Sequence, residues 1–334
     1  MPVVHFLNVK NGDCSVIQHG SGHVSVIDVC NARFPEGREA ALTKSFQPLP
    51  QTPRTAPINF NQKAYPVNPI EYLEDRGITS VFRFILTHPD MDHMDGIKDF
   101  FEAFNPTNFY DTNNWKEMSS KEFFAYRLED WAFYKSLRDN RPTTKPKRLT
   151  LYSGHVGSYM TRDWNGKPPG DAINVLAPTP ELVATANQNQ DYNDCSYVIL
   201  YRGSAGTVLF AGDSHDATWE HILDQHGPKI YNIDLLIAPH HGRKSGRDYS
   251  FLDVLNPKMT FFGNAKAEHL AYSAWHSRGL PYVTNNQANC MIVDAAVPGM
   301  PLFVTNQAFA RYRNVNTFYD PEYDAWFLQN INEY

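Results

Sequence analysis

The sequence predicts an α/β protein built as a four-layer αββα sandwich, with two β-rich halves and helices outside them. Apolar runs typical of buried strands alternate with helical patterns in both halves of the chain. The chain has 334 residues, of which 42% are hydrophobic and 13% aromatic, and this is enough to bury a sizeable core. Three of the predicted strands end in clusters of histidine and aspartate, which points to a site at one edge of the sheets.

Short β-rich runs separated by turns open the chain, and a polar, proline-rich stretch near 34–69 follows them. Within 120–140, apolar residues at helical spacing (Phe124, Leu128, Trp131 and Tyr134) predict a stripe that packs into the core. The predicted strands of this half are Val3 to Val9, Cys14 to Gln18, Val24 to Val29 and Val81 to Leu86, and the predicted helices are Pro69 to Asp75, His93 to about Phe104, and Ser120 to Asn140.

From Ile173 onward, strands and helices alternate again. The predicted strands here are Cys195 to Tyr201, Thr207 to Ala211, Asp234 to Ala238, Met259 to Phe262, Pro281 to Thr284, Met291 to Asp294 and Leu302 to Thr305, and the predicted helices are Ser214 to Gln225, Tyr249 to Leu255 and Leu270 to Arg278. We treat residues 1–334 as a single domain, with insertions near 34–69 and 105–170 and a C-terminal extension after about 295.

Composition and charge exclude several classes of protein. The net charge of −6 argues against a processive nuclease on long duplex DNA, because it provides no molecule-wide positive field. No apolar run approaches the roughly 18–20 residues of a membrane span, and from the N-terminal residues we expect no secretory leader. The four cysteines are far apart in sequence, so we expect buried thiols in a cytoplasmic protein that does not bind membranes.

The strongest functional signal is T-H-P-D-M-D-H at residues 87–93, directly after a predicted buried strand. His88, Asp90, Asp92 and His93 place four potential metal ligands in one short turn. Imidazole together with carboxylate suits divalent first-row metals. The alternative is a helix-capping turn, but a cap needs one carboxylate and not two with flanking histidines.

Two further strand-end motifs supply ligands that the first motif lacks. Asp213 follows a buried strand and a tight glycine in F-A-G-D, where a carboxylate is well placed to bridge two metal ions. His240 and His241 lie between proline and glycine in A-P-H-H-G, again at the end of a buried strand. Each motif alone also fits a structural turn, but together the three predict a metal centre.

Three motifs together resemble those of the metallo-β-lactamase-fold superfamily: H-x-D-x-D-H, a strand-terminal G-D, and P-H-H-G. Within it, the chain looks most like the soluble hydrolase domain of the DNA-uptake competence protein ComEC and its stand-alone relatives. The segments F-L-N-V-K-N-G-D-C (6–14), V-I-D (26–28) and N-D-C-S-Y-V (193–198) are similar to segments of that branch. The resemblance runs from about Val3 to about Asp294, and it is far less specific to a substrate than to the superfamily.

The resemblance implies a role for each matched residue. His88 and Asp90 would hold a first metal ion, and Asp92 and His93 would hold a second. Asp213 would bridge the two ions. The expected cofactor is therefore one or two divalent ions, Zn²⁺ or Mn²⁺.

One histidine of the pair at 240–241 would complete the second position. Register with family members that carry a single histidine there favours His240 over His241, and Asp28 would orient the ligand loop from behind. The chain departs from the commonest pattern, because Asp90 replaces a histidine and Asn193 lies nearest the place of another. More oxygen ligands shift the preference of the first position towards harder ions such as Mn²⁺.

A metal-bound water is acidified into a hydroxide nucleophile, and Asp92 is able to accept its proton while ligating. A pair of metals clamps the attacking and leaving oxygens of an in-line displacement. This chemistry favours a phosphodiester substrate, as in a nuclease or a cyclic-nucleotide phosphodiesterase. A lactone or thioester hydrolase on the same site stays open, and so does a metal-free binding module, although the intact H-x-D-x-D-H disfavours the latter.

Basic residues beside the last motif are candidates for contact with a substrate phosphate. Arg243, Lys244 and Arg247 follow P-H-H-G at once, and Asn193 joins them as a substrate-binding candidate. The alternative for the basic residues is a solvated helix start. His269 is the candidate general acid, because the ComEC-like branch tends to carry a histidine near this place. The expected partner is a nucleic acid or a nucleotide, and the sequence does not indicate an oligomeric state.

Overall fold

The computed structural model describes residues 1–34, 59–139, 145–157, 160 and 170–332. Its strands are β1 (Val3–Phe6), β2 (Ser15–Gln18), β3 (Val24–Ile27), β4 (Arg83–Ile85), β5 (Asn108–Tyr110), β6 (Lys147–Leu149), β7 (Ile173–Ala177), β8 (Val198–Arg202), β9 (Thr207–Phe210), β10 (Leu235–Ile237), β11 (Met259–Phe262), β12 (Tyr282–Thr284), β13 (Met291–Asp294), β14 (Pro301–Val304), β15 (Tyr319–Asp320) and β16 (Ala325–Asn330). Its helices are α1 (Pro69–Glu74), α2 (Ile97–Phe104), α3 (Ser120–Ala125), α4 (Leu128–Asp139), α5 (Pro180–Asn189), α6 (Asp216–His226), α7 (Phe251–Leu255), α8 (Tyr272–His276), α9 (Asn285–Ala288) and α10 (Gln307–Arg313).

Two β-sheets form the centre of the molecule. The ten-stranded sheet has the order β15-β16-β14-β13-β1-β2-β3-β4-β5-β6, and the six-stranded sheet has the order β12-β11-β10-β9-β8-β7. Side chains alternate between the two faces of each strand, as a pleated backbone requires. On β4, Ile85 belongs to the core between the sheets, whereas Phe84 packs under the helices of the N-terminal half. On β9, Phe210 faces the same central core and Leu209 faces the helices of the second half.

This alternation produces the four-layer αββα sandwich and confirms the predicted fold class. The central core draws residues from both sheets, and a separate apolar layer covers the outer face of each sheet. The four cysteines are buried free thiols, as predicted. No helix among the described residues has the length and apolar character needed to cross a membrane.

The parallel strands determine where loops with polar side chains can gather. In the large sheet β3, β4, β5 and β6 run parallel, and in the small sheet β9, β10, β11 and β12 do. The carboxyl ends of parallel strands share one edge of a sheet. The start of β2 reaches the same edge, because Ser15 pairs with Ile27 at the end of β3.

The apolar stripe expected on one helix over 120–140 is interrupted. Tyr126 has extended backbone dihedrals, with φ −127° and ψ 166°, and it separates α3 from α4. Trp131 and Tyr134 are buried as predicted, but Phe124 is 86% exposed and Leu128 is 46% exposed. The core assignment was therefore wrong for Phe124 and Leu128, because the break turns them off the buried face.

The segments interpreted as insertions and as an extension also carry regular structure. Within 105–170, β5 and β6 extend the large sheet, and after 295, β14, β15 and β16 form its opposite edge. Helices α5, α9 and α10 were not among the predicted helices. Most of the predicted insertion near 34–69, residues 35–58, lies outside the described residues.

His5 on β1 is a buried titratable group of the core. It is 3% exposed, and its ring nitrogens lie 3.0 Å from the Tyr72 hydroxyl and 3.2 Å from Gln18 Oε1. Burial lowers the pKa of His5 to about 4. The charge of Arg76 also lowers this pKa, whereas the hydrogen bond with Gln18 raises it. The imidazole is therefore neutral in the folded protein at pH 7.

We predict that His5→Asn makes the free energy of unfolding less dependent on pH below neutrality. The unfolded chain protonates this imidazole near pH 6.5, so its contribution is intact above that value and is lost as the pH falls towards 4. The loss amounts to about 3 kcal/mol in wild type. Urea unfolding at a series of pH values from about 7.5 to about 4 measures this loss, because that range includes the unfolded-state pKa of about 6.5. The exposed His155→Asn is the matched control, and curves of equal slope for wild type and His5→Asn would contradict the prediction.

Candidate metal centre

Loops from both sheets converge at the shared carboxyl edge. The site draws on the turn between β1 and β2, the ends of β3 and β4, and the ends of β9 and β10. These loops carry the following acidic and imidazole side chains: Asp13, Asp28, His88, Asp90, Asp92, His93, Asp213, His240 and His241. The three strand-end motifs predicted to act together therefore lie side by side.

Asp28 connects the end of β3 to the ligand turn after β4. It is 1% exposed, and its carboxylate accepts hydrogen bonds from the backbone N–H of Thr87 at 2.7 Å and from the Thr87 hydroxyl at 2.6 Å. Nδ1 of His93 lies 2.8 Å from Asp28 Oδ2. Because Nδ1 of His93 donates to this carboxylate, Nε2 is the nitrogen left to face the site. Asp28 lies behind the ligand turn, as the resemblance implies.

Asp13 lies beside His241 in a comparable position, at ion-pair distance but without hydrogen-bond geometry. Asp13 Oδ1 is 2.9 Å from Nδ1 of His241, a ring that is wholly buried. The sequence analysis did not single out Asp13 as a site residue, although it lies in the G-D turn that resembles the ComEC branch. The turn needs its glycine, since a Cβ on Gly12 would lie 1.7 Å from the backbone oxygen of Asp92. Gly12 thus lets the β1–β2 turn approach the ligand turn closely enough for Asp13 to reach His241.

The described residues form three groups of potential ligands, two of which are His88 with His93 and Asp213, and Asp13 with Asp213 and His241. The third is Asp92, His93 and His241, each of which offers an atom within 4.8 Å of the others. Asp213 lies beside them, with Oδ1 at 3.2 Å from His93 Nε2 and Oδ2 at 3.8 Å from His241 Nε2. Two imidazoles and two carboxylates facing one point are a donor set that both Zn²⁺ and Mn²⁺ accept.

Unsatisfied atoms test whether the residues present fit a metal ion. Nε2 of His88, His93 and His241 and Oδ1 of Asp213 are buried and make no hydrogen bond with any described residue. Buried polar atoms are almost always hydrogen-bonded, so a group of such atoms facing one point needs an explanation. A divalent cation at His93, His241 and Asp213 satisfies their atoms through its coordination bonds, and these residues therefore fit the metal. Nε2 of His88 lies 3.9 Å from Asp213 Oδ2, at the edge of the same cluster.

The electrostatics of the protein chain alone point in the same direction. Burial by itself would lower the pKa of His241, but the carboxylates of Asp13, Asp213 and Asp92 raise it to about 10. Burial acts likewise on His93, and Asp213 and Asp28 raise its pKa well above the ordinary value. The cluster thus has an excess of negative charge that favours a positive charge among its members. A divalent ion supplies that charge, so protons and metal compete for the site.

The P-H-H-G turn sends its two histidines in different directions. His240 and His241 have φ values of 50° and 57°, in a left-handed region that non-glycine residues seldom occupy. Two backbone hydrogen bonds stabilise this strained conformation. His240 N–H donates to the Gly212 oxygen at 2.9 Å, and Arg243 N–H donates to the His240 oxygen at 2.8 Å. The two rings are inclined by 84°. His241 belongs to two of the potential ligand groups, and His240 Nε2 lies 3.5 Å from Asp213 Oδ2.

His240 also contacts Arg247, a basic neighbour. Its Nδ1 lies 2.9 Å from the Ser245 hydroxyl and 3.3 Å from Nη2 of Arg247. Burial lowers the pKa of His240 to about 4. The charge of Asp213 raises this pKa, and the charges of His241, Arg247 and Arg243 lower it. Both histidines reach Asp213, so the choice between His240 and His241 as the ligand stays a prediction. Arg247 is only 5% exposed, so it positions His240 rather than lining the open site.

Asp90 has a partner that sequence reasoning missed. Nζ of Lys116 lies 2.6 Å from Asp90 Oδ1, and Asp90 Oδ2 is 3.8 Å from His88 Nε2. Asp90 is in none of the potential ligand groups that the described residues form. Lys116 carries no recognisable motif and lies in the segment interpreted as an insertion, so no sequence signal pointed to it.

Two cavities flank the cluster. One has a volume of 490 Å³ and is lined by Asn193, Arg243, Lys244 and His269, which were predicted to bind substrate or transfer a proton, and by His240, which was predicted as a metal ligand. The other has a volume of 630 Å³, and its lining includes Asp90, Asp92, Lys116 and Glu122. Asn193 lines both cavities, so it lies where a substrate reaching across the cluster would pass.

Comparisons with known proteins find similarity in structure only. No family model matches the sequence, and no curated protein matches it. One similar structure is a metallo hydrolase from the hyperthermophilic archaeon Ignicoccus hospitalis, with 10% identity, coverage of 87% of this chain and 99% of that chain, and a TM-score of 0.46. Another is a metal-dependent hydrolase of the β-lactamase superfamily, with 11% identity, coverage of 85% and 96%, and a TM-score of 0.41.

A third similar structure is a diphosphatase of the PhnP family, with 12% identity, coverage of 79% of this chain and 86% of that chain, and a TM-score of 0.34. None of the three is described as a ComEC-type hydrolase, so that part of the sequence-based resemblance stays a prediction.

We predict that Asp13→Asn and Asp28→Asn each weaken metal binding by about 10- to 100-fold, because each removes the carboxylate that orients a ligating imidazole. Competition with a chromophoric chelator for Zn²⁺ or Mn²⁺ measures the affinity. Circular dichroism checks that the fold survives. Asp224→Asn, an exposed change of the same charge on α6, is the control and should bind like wild type. Wild-type affinity in both site variants would contradict the assignment.

Proposed function

We propose that this chain is a metal-dependent hydrolase of phosphodiesters, with Asp92, His93, His241 and Asp213 as the ligands of its metal ion. The observation that carries the proposal is the position of the orphaned imidazole nitrogens beside a cavity whose lining includes Arg243, Lys244 and three imidazoles, together with the carboxylates of Asp191 and Glu268. A metal centre next to cationic side chains is suited to an anionic substrate with a phosphoryl group.

Asp92 has two tasks in this proposal. Burial would raise the pKa of Asp92, but a hydrogen bond with His241 and the charges of His93 and His241 lower it below the usual range. Asp92 is therefore a carboxylate at neutral pH, able to ligate and to accept a proton from an attacking water. A bound divalent ion supplies Lewis-acid polarisation of the phosphoryl oxygens and acidifies water.

Arg243 and Lys244 are proposed to hold the substrate phosphate. Both line the 490 Å³ cavity, and the backbone N–H of Lys244 donates to the His269 oxygen at 2.7 Å. This backbone bond keeps the two basic side chains and the His269 imidazole on one side of the cavity. His269 is 48% exposed and is proposed to protonate the leaving group.

The dimensions of the cavity favour a small or flexible substrate. A volume of 490 Å³ lies within the roughly 300–1,000 Å³ range of small-molecule sites. A net charge of −6 also provides little long-range attraction for a duplex. We therefore favour a nucleotide, a cyclic dinucleotide or a short single strand over long duplex DNA.

The metal preference is a separate part of the proposal. We expected a hard ion such as Mn²⁺ because Asp90 was assigned as a ligand. In the structure, Asp90 is paired with Lys116, so this reason for preferring a hard ion is lost. The remaining donor set has as many imidazoles as carboxylates and suits Zn²⁺ and Mn²⁺ alike.

We predict that metal-free protein regains phosphodiester hydrolysis when it is loaded with Zn²⁺ or Mn²⁺. The test compares both ions and Mg²⁺ on bis-p-nitrophenyl phosphate, single- and double-stranded DNA, RNA, cyclic dinucleotides, a lactone and a thioester. Asp92→Ala with His93→Ala is the inactive control. Circular dichroism must show that this variant folds, because His93 is buried against Asp28. Dominant lactone or thioester turnover with every metal would replace the phosphodiesterase proposal with the small-molecule one.

We predict that Arg243→Ala with Lys244→Ala raises KM for a nucleotide substrate by about tenfold or more, because it removes charge-assisted contacts present throughout the reaction. Turnover of a small uncharged ester should change little. The exposed pair Lys63→Ala with Arg313→Ala removes the same charge elsewhere and serves as the control. An unchanged KM for the nucleotide would remove these residues from the substrate site.

A further inference from the structure

Lys116 is an unusual lysine, because its ammonium group is enclosed. Its side chain is 9% exposed, and Nζ lies 2.6 Å from both Asp90 Oδ1 and Glu122 Oε1. The ring of Tyr192 has its centroid 6.0 Å away. Most lysines extend into solvent, so a charge held between two carboxylates at the edge of a metal centre indicates a specific role.

The surrounding structure fixes this ammonium in place. The Lys116 backbone N–H donates to Asn114 Oδ1 at 3.0 Å, and its backbone oxygen accepts from Arg138 Nη1 at 2.7 Å. Glu122 also accepts a long hydrogen bond, of 3.4 Å, from the backbone N–H of Met91 in the ligand turn. Lys116 and the ligand turn are thus tied together through Asp90 on one side and Glu122 on the other.

The first metal position implied by the family resemblance is correspondingly incomplete. Its expected protein ligands were His88, Asp90 and the bridging Asp213. His88 Nε2 lies 3.9 Å from Asp213 Oδ2, but one oxygen of Asp90 is already neutralised by Lys116. Asn193, which the family resemblance places nearest a further imidazole, offers an amide in its place. His88 and Asp213 share a potential ligand group with His93, but in the proposed function His93 serves the ion at the other position. The two ligands that remain are fewer than the four of a stable tetrahedral site.

We propose that the Lys116 ammonium takes the place of the second metal ion, so that the centre holds a single divalent ion at Asp92, His93, His241 and Asp213. This inference rests on the proposed function and adds a residue to it. In two-metal hydrolases, positive charge on both sides of the phosphorus stabilises the attacking and leaving oxygens. An ammonium has three N–H donors, and the carboxylates of Asp90 and Glu122 occupy two of them. The third serves a phosphoryl oxygen in the 630 Å³ cavity that Lys116 lines.

The proposal predicts the number of metal ions bound. Protein is loaded with excess Mn²⁺, freed of unbound metal by desalting and analysed for Mn per chain, with the spin coupling of an Mn–Mn pair as a second readout. Wild type and Lys116→Arg should hold about one ion, whereas Lys116→Met frees Asp90 and should hold about two with a coupled signal. Lys121→Met, a change at an exposed lysine lining the same cavity, is the matched control and should hold about one.

Asp90→Asn is the second variant, and it keeps the test decisive if Lys116→Met does not fold. Because Asp90 is not a ligand in this proposal, Asp90→Asn should retain one ion with an affinity within about threefold of wild type. Two coupled ions in wild type, a loss of metal in Asp90→Asn, or a folded Lys116→Met that still holds one ion would each overturn the role of Lys116. Wild type that binds no Zn²⁺ or Mn²⁺ would overturn the proposed function itself.

Discussion

A buried carboxylate behind an imidazole is the interaction on which the rest of this site depends. Asp28 lies behind His93, and Asp13 lies behind His241, in each case with the carboxylate at Nδ1 and the Nε2 atom facing the cluster. A buried carboxylate without partners costs several kcal/mol, so the fold must deliver each aspartate together with its imidazole. Both pairs join the β1–β3 hairpin region to a loop from another strand, so the site forms only when those strands have assembled.

The remainder of the structure supports a strained turn next to those pairs. Consecutive non-glycine residues with positive φ at His240 and His241 cost on the order of 1–3 kcal/mol each. The turn persists because Gly212 accepts the His240 N–H on one side and because buried β10 leads into it on the other. Core packing between the two sheets therefore stabilises a local conformation that the turn by itself would not adopt.

Charge is divided unevenly around the cluster, and this division shapes the proposed chemistry. On one side, Arg243 and Lys244 line a cavity and are available to a substrate. On the other, Lys116 is held between Asp90 and Glu122 and acts as a fixed cation. Arg247 has a third role, because it is buried and contacts His240 through Nη2. Four basic residues near one centre thus differ in function according to what each contacts.

Local patterns in the sequence were enough to predict the αββα layers, the strand-end motifs and the ligand turn. The reason is that alternation along buried strands and the spacing of ligands within one turn are properties of short segments. The helix break at Tyr126, which exposes Phe124, was not predicted, since one residue's backbone conformation depends on what packs around it. Only the tertiary structure decided that Asp13 supports His241 and that Lys116 neutralises Asp90. Those pairs join residues far apart in the chain, and their contacts follow from sheet order and loop approach rather than from any local pattern.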